Sequence, residues 1–274
     1  MFWALAWGLN VRLANGQRAQ TYPVRALVPV LFGVTLLVIW EGLVRGLDVS
    51  PVILPAPSQV AHTISTSLPT LWIDFQQTIV KGAVRGFLIG VIAAFFIAIL
   101  IDRSVFLTRG LLPLANYLAA LPLIGIAPIF INWFGFDWHS KAAVVVVMVF
   151  FPVFINTVQG LREANRIQQD IMRTYAAGYI QTLLMLRLPA AMPFIFNGLK
   201  ISTTLALIGA IVAEYFGSPI RGMGFRISTG VGSLSIDLVW AEITVAALAG
   251  STFYGLFTLV EKRVIFWHPS QRVR

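Results

Sequence analysis

The sequence predicts an all-α integral membrane protein that crosses the membrane six times. Hydrophobic residues make up 58% of its 274 positions and charged residues only 11%, so there is too little charge to cover a soluble globule of this size. The mean hydropathy is +0.82, and the apolar residues fall in runs of about 20, the length that an α-helix needs to cross a bilayer. The predicted spans are residues 24–44, 76–101, 110–134, 142–160, 193–216 and 238–261.

The third predicted span differs from the others because it contains Pro113, Pro122 and Pro128. Proline is tolerated in a membrane helix when its surroundings satisfy the carbonyl groups that it leaves free, so we expect this span to bend. The sequence has no visible internal repeat and no second soluble domain. We therefore predict one transmembrane domain over residues 24–265.

The distribution of lysine and arginine predicts that both termini lie in the cytoplasm. Connections on the cytoplasmic side of a membrane carry more of these residues than connections on the other side. With the N-terminus inside, the cytoplasmic basic residues are Arg12, Arg18, Arg25, Arg103, Arg109, Arg162, Arg166, Arg173, Arg187, Lys262, Arg263, Arg272 and Arg274. The opposite side receives only Arg45, Lys81, Arg85, Lys141, Arg221 and Arg226. This orientation makes residues 1–23 and 266–274 cytoplasmic tails and places residues 161–192 inside the cell.

The composition argues against several classes of site. The net charge of +9 comes from basic residues scattered singly between apolar runs, which is typical of helix flanks at an anionic membrane surface and not of nucleic-acid binding. There is no cysteine, and His62, His139 and His268 fall in different stretches without a metal-ligand pattern. We expect no catalytic residue, metal or cofactor in this chain. Since it also lacks a phosphate-binding G-x-x-x-x-G-K-[ST] loop, any ATP must be bound by another polypeptide.

Polar groups inside the predicted spans are few. A charge at the middle of a bilayer costs roughly 2.5–3.5 kcal/mol on insertion scales, so such groups usually face the bundle interior or a watery path. The candidates for a translocation path are Asn197, Lys200, Thr203, Thr204 and Glu214. Lys200 and Glu214 are separated by about 21 Å of helix, which is too far for a direct pair. For Lys200 we favour snorkelling towards the cytoplasmic side, and for Glu214 a path and an interhelical hydrogen bond are equal alternatives.

Residues 161–192 form a polar to amphipathic interruption between two long apolar stretches. Among the polar residues, Ile167, Ile171 and Tyr175 recur every four positions, which predicts an amphipathic helix over Arg162–Tyr175. An amphipathic helix in the cytoplasm would offer an apolar surface to a soluble partner.

Small residues after this helix predict a tight turn at 176–178. A second short helix is predicted over Tyr179–Arg187, with Pro189 stopping or redirecting the chain. Two short helices at an angle would protrude from the membrane.

Residues 170–193, DIMRTYAAGYIQTLLMLRLPAAMP, resemble the cytoplasmic loop signature of binding-protein-dependent ABC importer permeases. The consensus of that family reads approximately EAARTLGAS, then a short helix with QTF, then LPAALP. The residues that fall on the signature are Asp170, Arg173, Thr174, Ala176, Ala177, Gly178, Gln181, Thr182, Leu188 and Pro189. The departures are Asp170 for glutamate, Ile171 and Met172 for two alanines, Ala176 for glycine and Leu183 for phenylalanine. The stretches LPAPSQV, ALPLIGIAPIFINWFGF and NGLKISTTLALIGAIVAEYFG are similar to the branch that imports sulfonates, taurine, nitrate and pyrimidine or related vitamin precursors.

This resemblance implies a type I ABC importer permease of the bacterial plasma membrane, whose helix near 179–187 inserts in a groove of a separate ATPase subunit. Two permease copies, as a homodimer, and two ATPase copies would form the membrane complex. An extracytoplasmic solute-binding protein would deliver the solute, and ATP and Mg would bind to the ATPase. The alternatives are an ion-coupled secondary transporter, which would need coupling residues at the midplane, and a channel, which would need a pore-lining ring or filter.

Overall fold

The computed structural model describes residues 2–15, 22–119, 122–217 and 220–268, which fold into helices and short connections. Arg18, Arg272 and Arg274, which contribute to the predicted orientation, lie outside the described residues. The helices are α1 (Phe2–Asn15), α2 (Tyr22–Gly46), α3 (Pro57–Thr66), α4 (Leu68–Phe75), α5 (Arg85–Asp102), α6 (Val105–Ala119), α7 (Ala127–Phe134), α8 (Trp138–Arg162), α9 (Arg166–Thr174), α10 (Tyr179–Thr182), α11 (Leu188–Phe216), α12 (Met223–Gly232) and α13 (Ile236–Val264). A π-helical stretch, Gln76–Val84, joins α4 to α5, and another, Leu183–Arg187, joins α10 to α11.

Five stretches of the described chain are helical, long and apolar enough to cross a membrane. They are Leu27–Gly46, Leu68–Asp102, Trp138–Arg162, Tyr179–Phe216 and Ile236–Val264. The prediction of an all-α membrane protein is therefore confirmed, and five of the six predicted spans have a matching long helix.

The third predicted span contains no single long helix within its described residues. It is divided between α6, a 3₁₀ turn at Leu123–Ile126 and α7. Pro122 directly precedes the 3₁₀ turn, and Pro128 lies in the first turn of α7, where a missing amide removes no helical hydrogen bond. We expected one bent helix, and the structure instead has two helices separated at the prolines. The count of six spans stays a prediction.

The chain forms two compact units, one of residues 1–68 with 229–241 and the other of residues 69–228 with 242–274. In the first unit, Glu41 of α2 accepts hydrogen bonds from the amide and the hydroxyl of Ser58 in α3, at 2.9 and 2.7 Å, and pairs with Arg45. These contacts connect the end of α2 to the start of α3.

In the second unit, α8 packs against both α5 and α11. Small residues at Gly82, Gly86, Gly90, Ala94 and Ala98 recur every four positions along the helix that ends in α5. Lipid tails are as apolar as leucine, so close packing of small residues, and not the hydrophobic effect, is the main attraction between membrane helices. The core of this unit therefore depends on helix backbones that approach each other closely.

Candidate functional site

The segment that resembles the family signature begins with α9. Asn165 caps this helix, because its side chain accepts a hydrogen bond from the amide of Ile167 at 3.0 Å. The helix predicted over 162–175 is shorter than expected, since α8 takes up its first residue and a short connection follows. Every residue of α9 is at least partly exposed, and Ile167, Ile171 and Tyr175 are exposed apolar side chains. The amphipathic pattern is thus present with its apolar stripe uncovered.

A left-handed turn at Ala176 ends α9. Ala176 has a φ of +50°, a region that glycine adopts freely and that costs other residues about 1–2 kcal/mol. Its amide donates to the carbonyl of Arg173, and the amide of Ala177 donates to the carbonyl of Met172, both at 2.9 Å. This is the Schellman pattern of helix termination. The predicted turn is present, and alanine at the family's glycine position adopts the geometry that suits glycine.

Replacing Ala176 with glycine should stabilise this turn. Because the strain of the left-handed conformation is removed, we expect Ala176→Gly to gain up to about 1 kcal/mol of local stability. Hydrogen exchange of the amides of residues 172–178 in the purified protein measures the effect, and slower exchange is expected. Ala176→Val should exchange faster, and equal rates in the two variants would contradict the turn geometry.

The second helix of the segment begins at Tyr179 and continues past Pro189. From α10 the chain passes through the π-helical stretch into α11, so that Tyr179–Phe216 is one continuous helix. Pro189 lies in the first turn of α11, and the wider helical turns before it shift the hydrogen-bond register, which accommodates the missing amide. The prediction that this proline stops or redirects the helix is therefore wrong, and the separate short helix over Tyr179–Arg187 is the first part of a long one.

Most signature residues are accessible. Asp170 and Arg173 form an exposed ion pair at 3.2 Å, and the hydroxyl of Thr174 donates to the carbonyl of Asp170 at 3.0 Å. The side-chain oxygen of Gln181 accepts a hydrogen bond from the amide of Gly178 at 3.3 Å, so the amide of the residue that caps α10 has an acceptor. The half-buried signature residues are Ala177, Thr182, Leu188 and Pro189.

Exposed apolar side chains continue from α9 onto the second helix. Together they form what we name the apolar face, which consists of Ile167, Ile171, Tyr175, Ile180, Leu184 and Met185. In a segment predicted to lie outside the membrane, exposed apolar side chains of this kind indicate a surface for a protein partner.

A buried ion pair connects the second helix to the end of α5. Arg187 donates from its two Nη atoms to the two carboxylate oxygens of Asp102, at 2.6 and 2.7 Å, and from Nε to the carbonyl of Leu161, at 3.0 Å. The hydroxyl of Tyr179 donates to Asp102 at 3.1 Å, and the guanidinium of Arg103 lies over the tyrosine ring, 4.9 Å from its centre. Sequence analysis missed Asp102. The available signal was that Asp102 and Arg187 carry opposite charges and lie near the predicted cytoplasmic ends of two spans.

The path candidates on α11 have different environments. Lys200 donates to Glu261 of α13 at 2.7 Å, an interhelical ion pair that the sequence did not suggest. Thr203 is buried and donates to the carbonyl of Lys200 at 2.7 Å. Asn197 and Thr204 are exposed and lie two turns apart. Of the five candidates, these two share an open face of the helix.

Glu214 lies in a buried polar cluster at the far end of α11. It accepts hydrogen bonds from the hydroxyl of Thr78 at 2.6 Å and from an amide in the first turn of α12 at 3.1 Å. Asp74, in the same cluster, accepts from the amide of Gly222 at 2.6 Å and pairs with Arg226 at 2.8 Å. Both carboxylates thus contact the start of α12, where the helix dipole favours negative charge. This geometry supports the hydrogen-bond interpretation of Glu214.

Comparison with known proteins gives these contacts a family context. Residues 86–266 match the model of a family described as the binding-protein-dependent transport system inner membrane component. The chain is 30% identical over 248 residues to the formylaminopyrimidine transport permease of Halalkalibacterium halodurans, covering 90% of this chain and 98% of that protein. It is 30% identical to the riboflavin transport system permease of Chloroflexus aurantiacus, with 86% and 88% covered, and 24% identical to the taurine transport system permease of Escherichia coli, with 95% and 97% covered. The chain therefore belongs to the binding-protein-dependent transport system inner membrane component family and is a type I ABC importer permease, a multi-pass protein of the bacterial plasma membrane.

Proposed function

We propose that this permease forms the translocation path of an ATP-driven importer for a small solute. A separate ATPase subunit binds ATP and Mg and contacts the permease through residues 170–193. An extracytoplasmic solute-binding protein delivers the solute, and two permease copies, as a homodimer, assemble with two ATPase copies. The chain crosses the membrane six times with both termini in the cytoplasm, and α6 and α7 together make the third crossing.

The apolar face is the observation that supports this proposal most directly. Ile167 and Ile171 are exposed on α9, whose remaining residues are mainly polar, and Ile180, Leu184 and Met185 are exposed at the start of the second helix. Fully burying a large apolar side chain stabilises by about 1.5–3 kcal/mol, so a partner that covers even part of this face gains binding energy. A groove on the ATPase that receives the helix at Tyr179–Arg187 would cover Ile180 and Leu184 together, since residues four apart lie on one side of a helix.

We infer that the solute belongs to the sulfonate, taurine, nitrate or pyrimidine-precursor classes. Relatives named for formylaminopyrimidine, riboflavin and taurine transport align with most of this chain, which supports that range. The solute would pass along α11 beside Asn197 and Thr204, with Lys200, Thr203 and Glu214 positioned around it. Selection within the range rests largely with the solute-binding protein.

Ile180→Glu should strongly weaken ATPase binding. A carboxylate on the apolar face must lose its hydration when the ATPase covers it, and a penalty of about 2 kcal/mol or more lowers the affinity more than tenfold. The measurement is the amount of ATPase that copurifies with the permease from membranes, where we expect at least a tenfold decrease and a parallel loss of uptake.

Ile53→Glu is the matched control, because Ile53 is 75% exposed and Ile180 is 64% exposed. Ile53 lies in the connection before α3, which the predicted orientation places outside the cell, so this variant should bind the ATPase normally. If Ile180→Glu also copurifies the ATPase at the normal level, the apolar face is not the contact surface and the proposal fails.

A further inference from the structure

We propose that Asp102 and Arg187 form a transmission contact, which transfers movement of the ATPase-binding segment to α5 and is separate from the surface that binds the ATPase. This inference rests on the proposed function, because it requires an ATPase on the apolar face. Arg187 and Asp102 are positioning residues in this role, since they act through the helices that they join.

The geometry of the pair is suited to a rigid connection. Two parallel hydrogen bonds join the guanidinium to the carboxylate at 2.6 and 2.7 Å, and this arrangement fixes orientation as well as distance. The side chain of Asp102 is only 4% exposed and that of Arg187 18%, so water and salt screen the pair weakly. A movement of the second helix therefore has to move the end of α5 or break a buried contact.

The same arginine also reaches α8. Its Nε donates to the carbonyl of Leu161, in the last turn of α8, at 3.0 Å. Beside the ion pair, Leu161, Leu183 and Ile195 form a buried apolar cluster, and Ile99 of α5 packs against it. The ends of α5 and α8 and the second helix thus meet around one guanidinium group.

The transmission contact and the apolar face consist of different side chains. Ile180, Leu184 and Met185 are exposed, whereas the side chain of Asp102 is only 4% exposed and belongs to another helix. Movement of the segment reaches α11 through the continuous helix Tyr179–Phe216, but it reaches α5 through side-chain contacts. Weakening the ion pair should therefore separate ATPase binding from the response of α5.

Two single-cysteine reporters test this separation, and the chain is suited to them because it has no cysteine of its own. Gln168→Cys, which is exposed on α9, reports on the ATPase-binding segment. Leu100→Cys, which is exposed on α5, reports on the helix that carries Asp102. Each cysteine is labelled with bimane in the complex with the ATPase, and ATP with orthovanadate is then added. In the otherwise unchanged permease, we expect ATP with orthovanadate to change the bimane emission at both positions.

Asp102→Asn and Arg187→Lys weaken the contact in different ways. Asparagine keeps the shape of aspartate but offers only one acceptor oxygen, and lysine keeps the positive charge but cannot make the paired hydrogen bonds. In both variants we expect a retained emission change at residue 168 and a lost change at residue 100. With Asp102→Asn, which lies outside residues 170–193, we also expect normal copurification of the ATPase.

Two results would overturn the proposal. One is an unchanged response at residue 100 in both variants, which would mean that α5 moves without the ion pair. The other is loss, in Asp102→Asn, of ATPase copurification or of the response at residue 168, which would make the pair a requirement for ATPase binding or folding. Failure of the proposed function is distinguishable, because the ATPase would then fail to copurify even with the unsubstituted permease.

Discussion

Gly86→Ala is expected to lower the thermal stability of the permease, although alanine is the better helix former. A methyl group at Gly86 would lie 2.5 Å from the Cβ atom of Val145 and 2.8 Å from the carbonyl oxygen of Ala142, whereas carbon atoms in contact are normally 3.5–4.0 Å apart. Helices α5 and α8 would have to separate. Overpacking of this kind costs about 1–3 kcal/mol, which exceeds the gain of about 1 kcal/mol in helix propensity. The midpoint of thermal unfolding of the purified permease measures the loss.

Gly82→Ala is the control, one repeat earlier on the same helix. Its methyl group would lie 3.5 Å from the Cβ atom of Ala210 and 3.6 Å from the carbonyl oxygen of Gln77, which are ordinary contact distances. The midpoint of this variant should equal or exceed that of the unsubstituted protein. If Gly86→Ala is as stable as Gly82→Ala, the backbones of α5 and α8 do not approach as closely as the structure indicates.

The features that could be predicted from the sequence have local causes. The apolar stripe of α9 follows from the spacing of Ile167, Ile171 and Tyr175, and the turn at Ala176 follows from small residues after a helix. The long membrane helices follow from uninterrupted apolar runs. In each case the residues that determine the structure lie within one helix or one turn, so no knowledge of the fold is needed.

The features that could not be predicted depend on residues that are distant in sequence. Asp102 and Arg187 are 85 positions apart, and opposite charges near the cytoplasmic ends of two predicted spans do not by themselves identify the two residues as partners. A proline such as Pro189 ordinarily predicts the end of a helix, but the π-helical stretch before it allows the helix to continue. Leu183, the first residue of that stretch, is buried in a cluster with Leu161. For Glu214, the hydrogen bond to the first turn of α12 depends on the position of that helix. Contacts between helices depend on the fold, and they cannot be predicted from a single sequence.

Asp74→Ala is expected to destabilise the permease by about 1–3 kcal/mol, the cost of leaving a buried hydrogen-bond donor without its acceptor. Asp74 is fully buried, and its two oxygens accept hydrogen bonds from the amide of Gly222 at 2.6 Å and from Nε of Arg226 at 2.8 Å. Without the carboxylate, the amide of buried Gly222 loses its acceptor where water cannot readily replace it, and Arg226, which is 26% exposed, loses its partner. The thermal unfolding midpoint and the yield of monodisperse protein in gel filtration measure the effect.

Asp170→Ala is the matched control, because it also removes an aspartate from an arginine pair. The Asp170 and Arg173 side chains are 69% and 79% exposed, and exposed pairs contribute about 0–1 kcal/mol. Asp74→Asn should fall between the two alanine variants, since its amide oxygen can still accept from Gly222 but carries no charge. If Asp74→Ala proves as mild as Asp170→Ala, water must reach the inner pair and screen it as it does at the surface. The ranking thus tests whether burial, and not the mere presence of an aspartate–arginine pair, determines how strongly these contacts stabilise the protein.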